Sequence, residues 1–138
     1  MVNLEVLVEE ELQENERRFR ELAELLPQSI FEVDMNGNFT YANRNGFEST
    51  GYTHEDMANG VNVLQLFIPE DRERVSENID RILRSEKLNE HEFTLLRKDG
   101  STFPALIYTN AIVRDNQPVG IRGIVLDISE HTNRQKAR

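Results

Sequence analysis

Three runs of strand-like sequence, separated by two tight turns, close the chain, and nothing else in its 138 residues constrains the fold as much. Phe93–Arg97 leads through Asp99-Gly100, a pair suited to a tight hairpin turn, into Thr102–Val113. Asn116-Gln117-Pro118 then turns the chain into Val119–Ile128. Strands joined by connections this short run antiparallel, since parallel neighbours need a crossover of about a dozen residues or more. The C-terminal part of the chain therefore commits it to an antiparallel sheet. A sheet of this kind must bury one face, and the rest of the chain has to supply the cover.

The preceding segments read as that cover plus two further strands. From Leu4 to Leu26 the apolar spacing is helical, with Leu12, Phe19 and Leu26 seven apart and Val8 and Leu22 in the second seam position, interrupted by Asn15. Two arrangements satisfy this pattern: a helix packed on its own domain, and a two-stranded coil entering from an upstream module. Pro27 ends the helix, because it lacks an N–H and fixes φ. The period then changes to two in Ile30–Asp34, and Met35-Asn36-Gly37-Asn38 turns the chain into a second strand, Phe39–Ala42. Asn43 can cap a short helix through Phe47 to Thr50, stopped by Gly51, and Thr53 with Asp56 forms a capping box for another. Phe67-Ile68-Pro69 leads into a longer helix with Val75, Ile79, Ile82 and Leu83 on one face, and with Asp71, Arg72, Glu77 and Arg84 in water. The fold class is therefore α+β with an antiparallel sheet. The chain divides into an entering helix over 1–26, one domain over 27–129 and the start of a C-terminal connector over 130–138.

Composition removes several functions. A formal net charge of -9 leaves no basic footprint for nucleic acid or an anionic membrane surface. There is no cysteine, hence no disulfide, no thiolate metal site and no covalent thiol chemistry. No stretch approaches the roughly 18 apolar residues of a membrane helix, so we expect a cytoplasmic segment without direct membrane insertion.

FEVDMNGNFTYANRNGFESTGYT, RKDGSTFP and GIRGIVLDISE together resemble the PAS domains of bacterial and archaeal signalling proteins, over about Leu22 to Ser129. Asp34, Gly37 and Asn43 match that family's strand-turn-strand-Asn signature, Gly51-Tyr52 the close of its first short helix, and Asp99-Gly100 the turn before its long strands. Asp127-Ile128-Ser129 matches its Asp-Ile-Thr terminus, with serine for threonine. The resemblance implies a five-stranded antiparallel sheet with helices over one face and a sensing pocket between them.

Alternate strand residues share a face. Phe31, Val33, Phe93, Leu95, Ala105, Ile107, Thr109, Ile121, Gly123 and Val125 are thereby predicted to point inward, with His91 on the same side. The long helix would offer Val75 and Ile79, and Phe47 and Phe67 would close the ends. The small residues Ala105 and Gly123 either leave room for a ligand or let a helix approach. An ordinary packed core accounts for the same pattern. On the opposite face Leu106, Tyr108, Ile124 and Leu126 need a cover, and the N-terminal helix of the same chain or of a partner can provide it, which favours a homodimer.

The family's cofactors are tested against these residues. Adduct-forming flavin and thioester-linked chromophores each need a cysteine, so both routes are closed. Haem-binding relatives use a histidine on the long helix, and Pro69 to Ser85 contains none, with Val75 near where it would stand. Flavin held without a covalent bond stays open. No metal cluster, catalytic constellation or phosphate loop is present, so this segment is expected not to be an enzyme. Two functions remain: a small-molecule sensor feeding a C-terminal output domain, most readily a two-component histidine kinase, and a ligand-free dimerisation module of a transcriptional regulator, diguanylate cyclase or chemoreceptor. Asp127 and Ser129 would relay the signal, Asp127 by tying sheet to connector and Ser129 by capping the connector helix.

Overall fold

The computed structural model describes residues 3–88 and 91–129. Its strands are β1 (Ser29–Asp34), β2 (Phe39–Ala42), β3 (Glu92–Leu96), β4 (Thr102–Arg114) and β5 (Gln117–Asp127). They form one sheet in the order β2-β1-β5-β4-β3, every pair antiparallel. The two long strands lie inside it, so the hairpin turns evident in the sequence account for half of the sheet. The first hairpin then adds β1 beside β5, with Phe31 opposite Gly123 and Val33 opposite Ile121. The β4–β5 turn falls at Asp115-Asn116, one residue earlier than expected, because both residues adopt positive φ (50° and 62°) and close a two-residue loop.

Four helices accompany the sheet: α1 (Leu4–Leu25), α2 (Arg44–Thr50), α3 (His54–Asn59) and α4 (Arg72–Leu83). Their ends follow the predicted chemistry. Asn43 Oδ1 accepts from Gly46 N, Gly51 stops α2 at φ 82°, and Thr53 with Asp56 makes a reciprocal capping box. Val75 and Ile82 of α4 enter a core with Phe67, Phe93, Leu95, Phe103 and Ile107. Arg72, expected in water, instead turns back and donates from Nε to the carbonyls of Leu64 and Phe67 (3.0 and 3.2 Å). It thus satisfies groups left over where the Val63–Leu66 turn ends.

The first reading of α1, a helix packed on its own domain, holds for part of its length. Its second half is tied to its own domain. Phe19 lies beneath the Arg122 guanidinium (4.0 Å to the ring centroid), Arg122 pairs with the buried Glu32 (2.8 Å), and Glu16 pairs with Arg114. Glu24 accepts from Tyr41 Oη at 2.9 Å and from Arg44 N at 3.1 Å. Leu4, Val8, Leu12 and Leu22, by contrast, remain exposed. Of the outer sheet face, Leu106, Ile124 and Leu126 are half-buried and Tyr108 is exposed. The connector at 130–138 lies outside the described residues.

Candidate functional site

Between the inner sheet face and the helices lies a cavity of about 120 Å³. Twelve of the fifteen residues predicted to face it line it: Phe31, Val33, Phe47, Phe67, Val75, Ile79, Phe93, Leu95, Ile107, Thr109, Ile121 and Val125. Pleat parity and helix periodicity suffice to aim ten of those side chains, all but Phe47 and Phe67, since both are local rules.

The other three are placed elsewhere, each for a physical reason. His91 precedes β3 and escapes its alternation. The ring stacks on Tyr108, on the opposite sheet face, at 4.4 Å between centroids, and Nδ1 lies 3.1 Å from the Ile107 carbonyl oxygen. Ala105 does point inward, but it is wholly buried in the core against β3, opposite Phe93. Gly123 leaves room for a neighbouring side chain. A Cβ there would meet the Phe31 ring at 2.5 Å and the Thr109 methyl at 3.0 Å, so the space is already taken by Phe31.

Beyond Thr109, strand parity did not reveal the polar part of the wall. Tyr52, Asn78 and Thr50 also line the cavity, together with Ser29 and Ser49. They come mostly from the short helices and the α2–α3 connection, where no period long enough to read a face exists. Among the described residues, no Asp, Glu, Lys, Arg or His lines the cavity.

One side of the cavity shares a wall with a second, polar cleft of about 290 Å³ that contains Asp127. Ser29, Ser49, Phe103 and Val125 border both spaces. Across that wall Ser29 Oγ donates to Asn45 Oδ1 (2.9 Å) and meets Ser49 Oγ at 3.0 Å. Arg97 then spans the same region. Its Nε donates to the Ser49 carbonyl at 2.9 Å, its guanidinium lies 4.3 Å above the Phe103 ring, and Nη2 stands 3.9 Å from Asp127 Oδ2. Asp127 in turn accepts from the backbone N–H of Ser129 (2.8 Å) and from its hydroxyl (2.5 Å). The Ser129 hydroxyl thus donates to Asp127, and the connector residues it is expected to cap lie outside the described residues.

The β3–β4 turn is strapped to the cavity's helices as well. Lys98 N donates to the Thr50 carbonyl at 2.9 Å, and Lys98 Nζ holds Asp56 at 2.8 Å. Hydrogen bonding from Lys98, with a smaller contribution from Thr53, keeps the Asp56 carboxyl below its ordinary value. Arg97 and Lys98 carry a signal that sequence could have offered, since both flank the Asp99-Gly100 turn and so must leave the sheet at its end.

Comparison with known proteins points the same way. A family model described as PAS fold matches residues 39–125. A PAS domain structure from Colwellia psychrerythraea is 28% identical, with a TM-score of 0.71, covering 82% of this chain and 97% of that one. A domain of a sensory box sensor histidine kinase/response regulator from Geobacter sulfurreducens is 25% identical with a TM-score of 0.69, covering 84% and 96%. An uncharacterized protein of Sinorhizobium fredii, y4lL, is 32% identical over 130 residues, which are 94% of this chain and 16% of that protein.

Proposed function

The chain belongs to the PAS fold family, and from that premise we propose that it is a small-molecule sensor whose state leaves through Asp127 to a C-terminal output domain. One observation carries this reading. The apolar cavity and the cleft holding Asp127 share a wall, and Arg97 touches both sides of it through Ser49, Phe103 and Asp127. A ligand that displaces α2 would pull on the Ser49 carbonyl and so on the arginine that faces Asp127. The likeness to a histidine kinase segment supports a two-component kinase as the output.

The lining suits neither haem nor flavin. Among the described residues it offers no histidine for haem iron and no cation for propionates or a phosphate. A cofactor-free sensor fits these residues better. The second reading, a homodimerisation module, rests on the exposed apolar residues of α1, and the two readings are compatible in one protein.

Native mass spectrometry of the protein purified from cells is expected to show a noncovalent small molecule, or a titratable site for one. Finding neither would leave only the dimerisation reading. In the longer parent protein, Asp127→Ala should uncouple output from input while the domain stays folded by circular dichroism. Unchanged signalling would sink the relay.

A further inference from the structure

We infer that the cavity takes a neutral molecule of about one ring, mostly apolar, and that the Asn78 carboxamide reads its single polar group. This rests on the sensor reading above and narrows its ligand class. Three observations carry it.

The first is charge. Among the described residues the lining includes no ionisable acid or base other than Tyr52, so a carboxylate, phosphate or ammonium entering would lose its hydration without gaining a countercharge from them. The Arg74 guanidinium comes near, stacked 4.5 Å over Phe93, yet it is not part of the lining. Neutral molecules do not meet this penalty.

The second is size. A dry apolar cavity of about 150 Å³ takes benzene. At about 120 Å³ the present one is slightly smaller, and its walls are the same kinds of side chain, such as Val75, Ile79, Phe93 and Ile121. On the inner face the space over Gly123 is filled by the Phe31 ring and adds nothing to this volume.

The third is polarity. Three of the six polar side chains of the wall are engaged: Ser29 and Ser49 with each other, and Thr50 Oγ1 with the Gly46 carbonyl at 2.8 Å. Tyr52, Asn78 of α4 and Thr109 of β4 border the cavity with no side-chain hydrogen bond to any described residue, and of these three Asn78 carries the carboxamide. Asn78 carries both donors and acceptors. A ligand hydroxyl or carbonyl would therefore find a partner there, which a pure hydrocarbon would not use.

The test is a titration of the ¹⁵N-labelled chain with phenol, toluene and benzoate, monitored by the amide shifts of Ile107, Ile121 and Val125. Phenol is expected to bind most tightly and benzoate at least about ten-fold more weakly, by the cost of an unpaired buried charge. Asn78→Leu should bring phenol down to the affinity of toluene while toluene itself binds as before. If benzoate equals phenol, neutrality is overturned and the sensor reading stands. If Asn78→Leu, folded by the same spectra, leaves the preference for phenol intact, the role of Asn78 is overturned. If none of the three shifts these amides while a larger ligand copurifies from cells, the one-ring class falls and the sensor reading survives. If none binds and nothing copurifies, both fall.

Discussion

Asn43 is where a single side chain does the most to hold the parts together. It is fully buried, its Oδ1 accepts from Ile30 N and Gly46 N, and its Nδ2 donates to the carbonyls of Ala23 and Gln28. One carboxamide thus joins the end of α1, the approach to β1 and the start of α2. Asn43→Ala should cost about 3 kcal/mol in urea unfolding, since it strands several buried backbone groups at once. Asn43→Asp separates the two halves of that role. The carboxylate keeps the cap on α2 but faces the Ala23 and Gln28 carbonyls with no proton to give. Hydrogen exchange is then expected to accelerate in α1 and not in α2, and equal acceleration in both would refute the division. The sequence identified Asn43 as a cap, because capping is local. Its hold on α1 spans 20 residues and was not legible. Tyr41, which also faces α1, gives a second readout of that docking. Burial and the Glu24 carboxylate push its phenol from 10.0 up to about 12. A raised folded-state value means that this contribution is complete below pH 10.0 and fades as pH climbs towards about 12. Ultraviolet titration should show one of the three tyrosines ionising in that late step, and Asn43→Asp should move it earlier if α1 has lifted.

At the scale of elements, β5 is the strand on which the rest is assembled, and its glycines Gly120 and Gly123 illustrate different constraints. At Gly120 an added Cβ would lie 2.2 Å from the Val33 carbonyl oxygen, a backbone atom of β1. At Gly123 it would lie 2.5 Å from the tip of the Phe31 ring, which can rotate away. Gly123→Ala is therefore expected to cost about 1–3 kcal/mol as an overpacked site, and Gly120→Ala more, because a paired strand cannot yield. Thermal unfolding of the two variants checks the order, and the reverse order would mean that Phe31 is held more rigidly than the strand. The same contrast explains what could be read beforehand. All three hairpins, the caps at Asn43 and Thr53 and the apolar face of α4 follow from turn chemistry and periodicity, which act over a few residues. Gly123 looked like space for a ligand, since a sequence shows the missing Cβ but not the ring that fills its place. His91 was assigned inward by extending an alternation past the point where the β3 ladder begins, and the stack on Tyr108 takes it to the other face.

For the whole molecule the open matter is what covers α1. Phe19 is the seam residue that points home, under Arg122, whereas Leu4, Val8, Leu12 and Leu22 are 73%, 60%, 46% and 62% exposed. A row of this kind along one helix is more apolar surface than an isolated domain ordinarily leaves in water, and a second copy of the chain can bury it. The pairing has an electrostatic opponent. Glu5, Glu9, Glu10 and Glu11 crowd the first half of α1, on a chain whose net charge is -9. Two such helices side by side repel, and salt screens the repulsion within about 10 Å at 0.1 M. Sedimentation should therefore find a monomer–dimer equilibrium that shifts towards dimer as salt is raised, opposite to the trend for an association held by ion pairs. Replacing Val8 and Leu12 together by glutamate is expected to leave only monomer with an unchanged melting temperature, because neither side chain is buried in its own domain. A dimer that survives the double substitution would move the contact to the outer sheet face around Tyr108. A wild-type chain that stays monomeric at every salt concentration would leave the exposed row of α1 to a different partner.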